Sequence, residues 1–265
     1  MTGDPAAVVE LRTIRETQAA DSEVPLYLHP EWAAELPWLA HGITARGGTE
    51  PFDVGFFGDV PVGRTMRRWR RLRDATGCRT AVHARQVHEA TVLRHEMLPA
   101  GLLIGDDADG HITAEAGLLL TVSIADCVPI SIVDEERRAI SLLHGGWRGI
   151  AAGILEAGLR AVLALTRGDA SALRVHFGPA ICGNCYEVGP EVHDALGLPV
   201  PAAPEPVDLR RTLARRATHA GLEPERITMS VHCTRCGDAP FFSHRGGDRA
   251  RQVAVLGVRE ARDPA

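Results

Sequence analysis

From Gly117 to Asp134 the chain reads GLLLTVSIADCVPISIVD, almost without a polar position and rich in β-branched residues. A strand with one wet face alternates apolar and polar side chains, so an unbroken apolar run predicts strands covered on both faces. We read a strand pair here, interrupted at Pro129 just past Cys127. AISLLHGGW (139–147) predicts a further strand that Gly145 and Gly146 end. Upstream, AVHARQVHEATVL (81–93) predicts a strand, a tight feature and a second strand. LRVHFGPAI, RITMSVHCT and RQVAVLGV supply three more strands toward the C-terminus.

Between these blocks the period changes from two to that of a helix. IAAGILEAGLRAVLALT predicts a helix over Ile150–Thr166. VDLRRTLARRATHAGL predicts another over Val207–Leu222, with Asp208 near its start and Gly221 at its end. RTMRRWRRLRDA (64–75) predicts a basic helix whose Arg face is solvated and whose other face packs Met66, Trp69 and Leu72. PVPAAPEPVD reads as a Pro-rich loop, and residues 1–40 as a strand or two among loops. No internal repeat is visible. The expectation is one α+β domain over residues 1–265, with mixed sheets and helices outside.

Composition narrows the chemistry. With 265 residues, 45% of them apolar, the chain can bury a large core. Its net charge of −5 disfavours nucleic acid and anionic membrane. All 29 basic residues are Arg, which excludes a Schiff-base lysine, a P-loop lysine and a Ser–Lys pair. No run reaches the roughly 20 apolar residues of a membrane span. The N-terminus carries acidic residues and no apolar h-region, so a cytoplasmic location is expected. There, six cysteines are expected to be reduced, metal-bound or catalytic rather than paired in disulfides.

Three reactive side chains stand at the ends of apolar strands: His88 in RQVH, Cys127 in IADC and His144 in LLHGG. Two His and one Cys suit Zn²⁺, and three protein ligands leave a fourth position open, the mark of a catalytic rather than a structural ion. Copper accepts the same ligands. The same residues also suit a Cys127 nucleophile with His144 or His88 as base and Asp126 as its orienter, whereas in the zinc reading Asp126 is a candidate proton carrier for the metal-bound water. Gly145, Gly146 and Gly149 allow close backbone approach, and Arg148 adds a fixed positive fork at a predicted helix start, where an anion is at home. Two CxxC pairs, Cys182/Cys185 and Cys233/Cys236, form a structural zinc pattern if the fold joins them; a redox role is the alternative.

RQVHEATV, DDADGHIT, TVSIADCVPISIVD, HGGWRGIAAGI, FGPAICGNCYEVGPEV and FFSHRGGDRARQVAVLGV occur here in the order found in the laccase-domain (polyphenol oxidase-type) family, which this chain resembles over residues 38–258. The resemblance implies a four-layer α/β/β/α fold, with metal ligands at His88, Cys127 and His144. It implies zinc-dependent phosphorolysis of adenosine, inosine, guanosine and methylthioadenosine, with purine nucleosides and phosphate as partners, and deamination of adenosine. Some relatives are described instead as hydrolases that edit a peptidoglycan precursor, and the older label is copper polyphenol oxidase. HGITARGG resembles the family's HGF-T-R-x-GG motif, so Arg46 is a candidate substrate or phosphate contact, and Gln86 of RQVH another. Two Asn-bearing stretches of the family read DVGFFGDVP and RRWRRL here, without Asn. A trinuclear copper cluster normally uses His-x-His, which this sequence lacks.

Overall fold

The computed structural model describes residues 11–56, 60–238 and 240–260. The first ten residues of the N-terminal stretch, and residues 57–59 of DVGFFGDVP, lie outside the described residues.

The strands are β1 (Arg12–Ile14), β2 (Thr17–Gln18), β3 (Leu26–Leu28), β4 (Leu39–Thr44), β5 (Thr80–Arg85), β6 (Val92–Arg94), β7 (Gly101–Asp107) and β8 (Gly110–Thr113). They continue as β9 (Leu118–Ile124), β10 (Val128–Asp134), β11 (Ala139–Gly145), β12 (Arg174–Phe177), β13 (Glu187–Val188), β14 (Glu205–Pro206), β15 (Ile227–Ser230) and β16 (Gln252–Val258). The α-helices are α1 (Pro30–Glu35), α2 (Val62–Thr76), α3 (Trp147–Ala151), α4 (Ile154–Thr166), α5 (Pro190–Ala195) and α6 (Leu209–His219). One sheet runs β1-β15-β12-β10-β11-β8-β6 and a second β2-β3-β4-β16-β9-β5-β7; both mix parallel and antiparallel pairs.

Three apolar interfaces stack these layers. Val128, Ile130 and Ile132 of β10 pack with Leu155 and Leu159 of α4 and Leu213 of α6. On the opposite face Val133, Ile140 and Leu142 meet Leu120, Val122 and Leu256 of the facing sheet. The far side of that sheet, through Leu119 and Val255, packs against Trp69 and Leu72 of α2. The order is helix, sheet, sheet, helix, as the α/β/β/α expectation had it. It also explains the unbroken apolar runs: each central strand has a hydrophobic interface on both faces, and each fully buried Leu or Ile contributes roughly 1.5–3 kcal/mol.

Several local expectations need correction. The run 117–134 is not a hydrogen-bonded strand pair: β9 belongs to one sheet and β10 to the other. Pro129 does not interrupt it, since it sits inside β10 opposite His144; the break falls at 125–127. The helix expected over Ile150–Thr166 is two helices, split where Gly153 takes φ +87°, so the anion-attracting dipole expected beside Arg148 shrinks to five residues. The predicted helix over Val207–Leu222 is shorter, with the Asp208 carboxylate accepting the Arg210 and Arg211 amides as its cap. Trp69 and Leu72 are buried as expected, but Met66 is exposed. Helix α1, within the stretch read as strands and loops, was not anticipated; His29 caps it through the Trp32 amide, with Pro30 at its first position.

The chain passes between the sheets at 86–91, 108–109 and 125–127, each time joining a strand of one to a strand of the other. These crossovers lie at one end of the sandwich, where β11 also ends.

Candidate metal centre

His88 lies in the first of these crossovers, Asp109 in the second and Cys127 in the third, while His144 sits near the end of β11. The crossovers need tight turns, and two non-glycine residues take positive φ there: His88 at 62° and Asp126 at 88°. Such backbone is costly and persists only when the surroundings hold it. The Asp109 carboxylate holds the first, accepting the amides of Val87, His88 and Glu89 at 2.9–3.0 Å. Asp126 is held by Thr234, whose hydroxyl donates to Oδ1, and by the Arg245 amide, which donates to Oδ2, each at 2.6 Å.

The result brings His88, Cys127 and His144 together, with one ligand atom from each within 4.8 Å of the others. Cys127 Sγ and His88 Nε2 stand 4.0 Å apart. His144 Nδ1 donates to Asp109 Oδ1 at 2.7 Å, which fixes its ring and leaves Nε2 toward the thiol side. Gly146 leaves the room: a Cβ there would come within 2.6 Å of His88 Cδ2 and 3.3 Å of Cys127 Sγ. His144 is buried, Cys127 half-buried and His88 exposed, so the cluster opens to solvent on the His88 side.

The side chains of the cluster charge one another. Burial alone would raise the Cys127 thiol, yet His144 and then His88 outweigh it and hold the thiol well below its ordinary range. Burial would likewise discharge His144, but the Cys127 thiolate and the Asp109 carboxylate hold it protonated above its ordinary range. Asp109 stays below the usual carboxylate range: burial opposes its charge, and bonds from His144, Glu89 and Val87 overcome that. A thiolate and two imidazoles, one of them oriented by a carboxylate, can take up a metal ion once the ion displaces the His144 Nε2 proton. Among the described residues, the other converging group is Cys182, Cys185, Cys233 and Cys236.

The remaining candidates divide. Arg148 is exposed and stacks its guanidinium over Trp147 at 4.2 Å, next to the cluster. Gln86 spends both ends of its amide on Ser123, donating to the carbonyl at 2.9 Å and accepting the amide at 2.6 Å; it pins the first crossover to the end of β9 rather than reaching outward. Asp126 is a brace as well: both oxygens are occupied, so the orienter of His144 is Asp109 and not Asp126. Arg46 pairs with Asp248 at 2.8 Å and lies 4.5 Å over the Phe242 ring; its bonds go to the 241–248 loop.

Sequence reasoning missed three residues that the structure sets beside these. Asp109 lies in the quoted DDADGHIT, but nothing in the spacing shows that one of its three acids serves two histidines. Tyr186 feels Cys127, Arg245 and Arg148, and its hydroxyl is pushed up to about 12, chiefly by burial. Arg245 lies 5.3 Å over the Tyr186 ring. Both belong to loops that reach the turn at Asp126 and Cys127 only in the folded chain.

Residues 52–259 match the family described as multi-copper polyphenol oxidoreductase laccase. A Xylella fastidiosa protein named purine nucleoside phosphorylase is 34% identical over 256 residues, covering 86% of this chain and 96% of that one. A protein named adenosine deaminase RL5, from an unknown prokaryotic organism, is 31% identical over 186 residues, 65% of this chain and 68% of its own. The crystal structure of YlmD from Geobacillus stearothermophilus superposes with a TM-score of 0.82 at 27% identity, covering 93% of this chain and all of that one. On the extent of the family match and of these similarities, the chain belongs to the multi-copper polyphenol oxidoreductase laccase family.

Proposed function

We propose that the protein is a zinc-dependent purine nucleoside phosphorylase that also deaminates adenosine. One observation carries the reading: two imidazoles, one thiolate and a carboxylate behind them converge at an open edge of the fold. The names of the relatives direct that site toward purine nucleosides.

His88, Cys127 and His144 would hold the ion, and Zn²⁺ there would supply Lewis acidity and a polarised water. Neither phosphorolysis nor deamination changes an oxidation state, so the redox-inert ion suffices, although copper binds such ligands more strongly. In phosphorolysis a phosphate oxygen bonds to C1′ as the glycosidic bond breaks and the purine leaves with the electron pair. Arg148, exposed and steadied on Trp147, would fix the incoming phosphate as a bidentate fork. Tyr186, protonated at neutral pH, is a hydrogen-bond donor for the departing base or the ribose. In deamination, water oxygen replaces the 6-amino group of adenosine and ammonia leaves. Adenosine, inosine, guanosine and methylthioadenosine share the ribose–purine bond that this chemistry addresses.

A second reading has its own observation. The thiolate–imidazolium pair of Cys127 and His144 also suits a cysteine hydrolase, such as one that edits a peptidoglycan precursor. A dyad needs one base, however, and here a second imidazole converges on the same thiol.

The deciding experiment pairs metal analysis with adenosine turnover followed by chromatography, with and without phosphate. The expected result is bound zinc, adenine formed only with phosphate, and inosine formed without it. Full phosphorolysis by Cys127→Ala would overturn the proposal; a metal-free active protein alkylated at Cys127 would establish the hydrolase.

A further inference from the structure

Cys182 caps and Cys185 ends the 3-10 turn that follows β12, and Cys233 and Cys236 lie in the turn that follows β15. The two loops are locked in register: Ala180 and Cys233 form a parallel bridge, and the Thr234 amide donates to the Ala180 carbonyl at 3.1 Å. All four Sγ atoms fall within 4.8 Å of one another. Cys182 Sγ and Cys236 Sγ stand 3.7 Å apart. That separation is far from the roughly 2.05 Å of a disulfide. It matches a tetrahedron: four thiolates at about 2.3 Å from one ion have edges of about 3.8 Å.

The backbone is also arranged for charged sulfur. Cys233 Sγ accepts three amides, from Cys182 at 3.3 Å, Arg235 at 3.4 Å and Cys236 at 3.5 Å. A neutral thiol is a weak acceptor, whereas a thiolate is stabilised by several N–H donors. Gly237 completes the turn, donating to the Cys233 carbonyl at 3.1 Å; a Cβ there would lie 2.5 Å from that oxygen, so only glycine fits.

We propose that Cys182, Cys185, Cys233 and Cys236 bind a second zinc ion, structural and closed, that staples these two loops together. Four sulfur ligands fill the coordination sphere and leave no open position, unlike the His88–Cys127–His144 group. The staple bears on that first group. Ile181, next to Cys182, donates its amide to the Asp126 carbonyl at 3.0 Å. Thr234, next to Cys233, donates its hydroxyl to the Asp126 carboxylate. The turn that presents Cys127 is thus braced from both loops that the second ion joins.

The test uses the full-length chain with Cys127→Ser, which breaks the first group and leaves the four cysteines intact. One zinc per chain is expected to remain, and iodoacetamide should label Cys182, Cys185 and Cys236 only after chelation. Cobalt substituted for that zinc should show intense thiolate charge-transfer bands, absent when Cys182→Ser and Cys236→Ser are added. Metal-free Cys127→Ser protein would overturn the proposal. So would a Cys182–Cys236 disulfide in its peptide map, or zinc content that the added serines leave unchanged. If the serine variants precipitate, the labelling of Cys127→Ser before and after chelation decides alone.

Discussion

The Oδ1 atom of Asp109 accepts Nδ1–H of His144 at 2.7 Å while also accepting the backbone amide of His88 at 3.0 Å. One buried carboxylate therefore sets the ring of one proposed ligand and the main chain of another. Asp109→Ala removes both constraints: His144 loses its ring orientation, and the positive φ of His88 loses its support. Loss of a carboxylate behind a metal-bound histidine typically costs 10- to 100-fold in affinity. The expected outcome is a zinc affinity at least about tenfold weaker, read by competition with a chromophoric chelator, and a parallel loss of turnover that excess zinc partly restores. An unchanged affinity would make Asp109 a brace for the crossover and nothing more.

Gly146 offers a cleaner probe of the cluster itself. Its backbone is ordinary extended chain, φ −78° and ψ 159°, so alanine costs nothing in conformation. Its Cβ, however, would fall 2.6 Å from His88 Cδ2. The His88 ring is exposed and can swing outward, which relieves the clash and breaks up the three-residue cluster. Gly146→Ala is expected to fold, with a metal-free melting temperature within a few degrees of the parent, and to purify without metal at the first group. A normal metal content would show that His88 is not a ligand.

The sequence shows the layers more readily than their connections. The unbroken apolar character of 118–124 and 128–134 gives away double coverage, and the helices announce themselves by period and by Asp208. Nothing local shows that these two runs belong to different sheets, because a crossover and a hairpin both appear as a short polar break. That missing fact is what places Cys127 beside His88. The convergence of His88, Cys127 and His144 was legible because each is a reactive residue closing an apolar run. Asp109, Tyr186 and Arg245 were not, since an acid among three, one Tyr of two and one Arg among 29 carry no period; their partners lie tens to more than a hundred residues away in the chain. Asp126 shows the same limit: it neighbours Cys127 in sequence, but Thr234 and Arg245, far along the chain, take up its oxygens, and Asp109 orients His144 instead.

Arg148 separates the two proposed reactions. Phosphorolysis requires an anion at the site and deamination does not. Losing a charged hydrogen-bonding fork costs roughly 1.5–3 kcal/mol, or about 10- to 100-fold. Arg148→Ala should therefore raise the KM for phosphate by at least about tenfold while leaving adenosine deamination in phosphate-free buffer near its parent rate. Steady-state kinetics of both reactions on one preparation decide it. If both fall equally, Arg148 supports Trp147 and the cluster rather than phosphate.

Acid should unfold this protein through its buried histidines. Burial is the leading cause in each case: it lowers His41 and His83 to about 4, His111 to about 3 and His29 to about 2. The geometry gives a protonated ring little help. His41 Nε2 meets the His29 carbonyl at 3.1 Å, but Nδ1 has no partner at all. In the unfolded chain these rings protonate near pH 6.5, whereas the folded chain refuses the protons until well below that. Unfolded protein thus binds more protons as pH falls, so the stability these groups contribute is complete above about pH 7 and is lost progressively below about 6.5. Each ring costs about 1.4 kcal/mol per pH unit within that window. Four acting together between pH 6 and 5 would remove about 5 kcal/mol, comparable with the whole stability of a small domain. Urea unfolding measured between pH 8 and 5 should therefore show a plateau and then a steep decline, corresponding to uptake of about four protons on unfolding near pH 5. His41→Gln should reduce that uptake by about one. A flat profile would mean that these imidazoles already carry charge inside the fold.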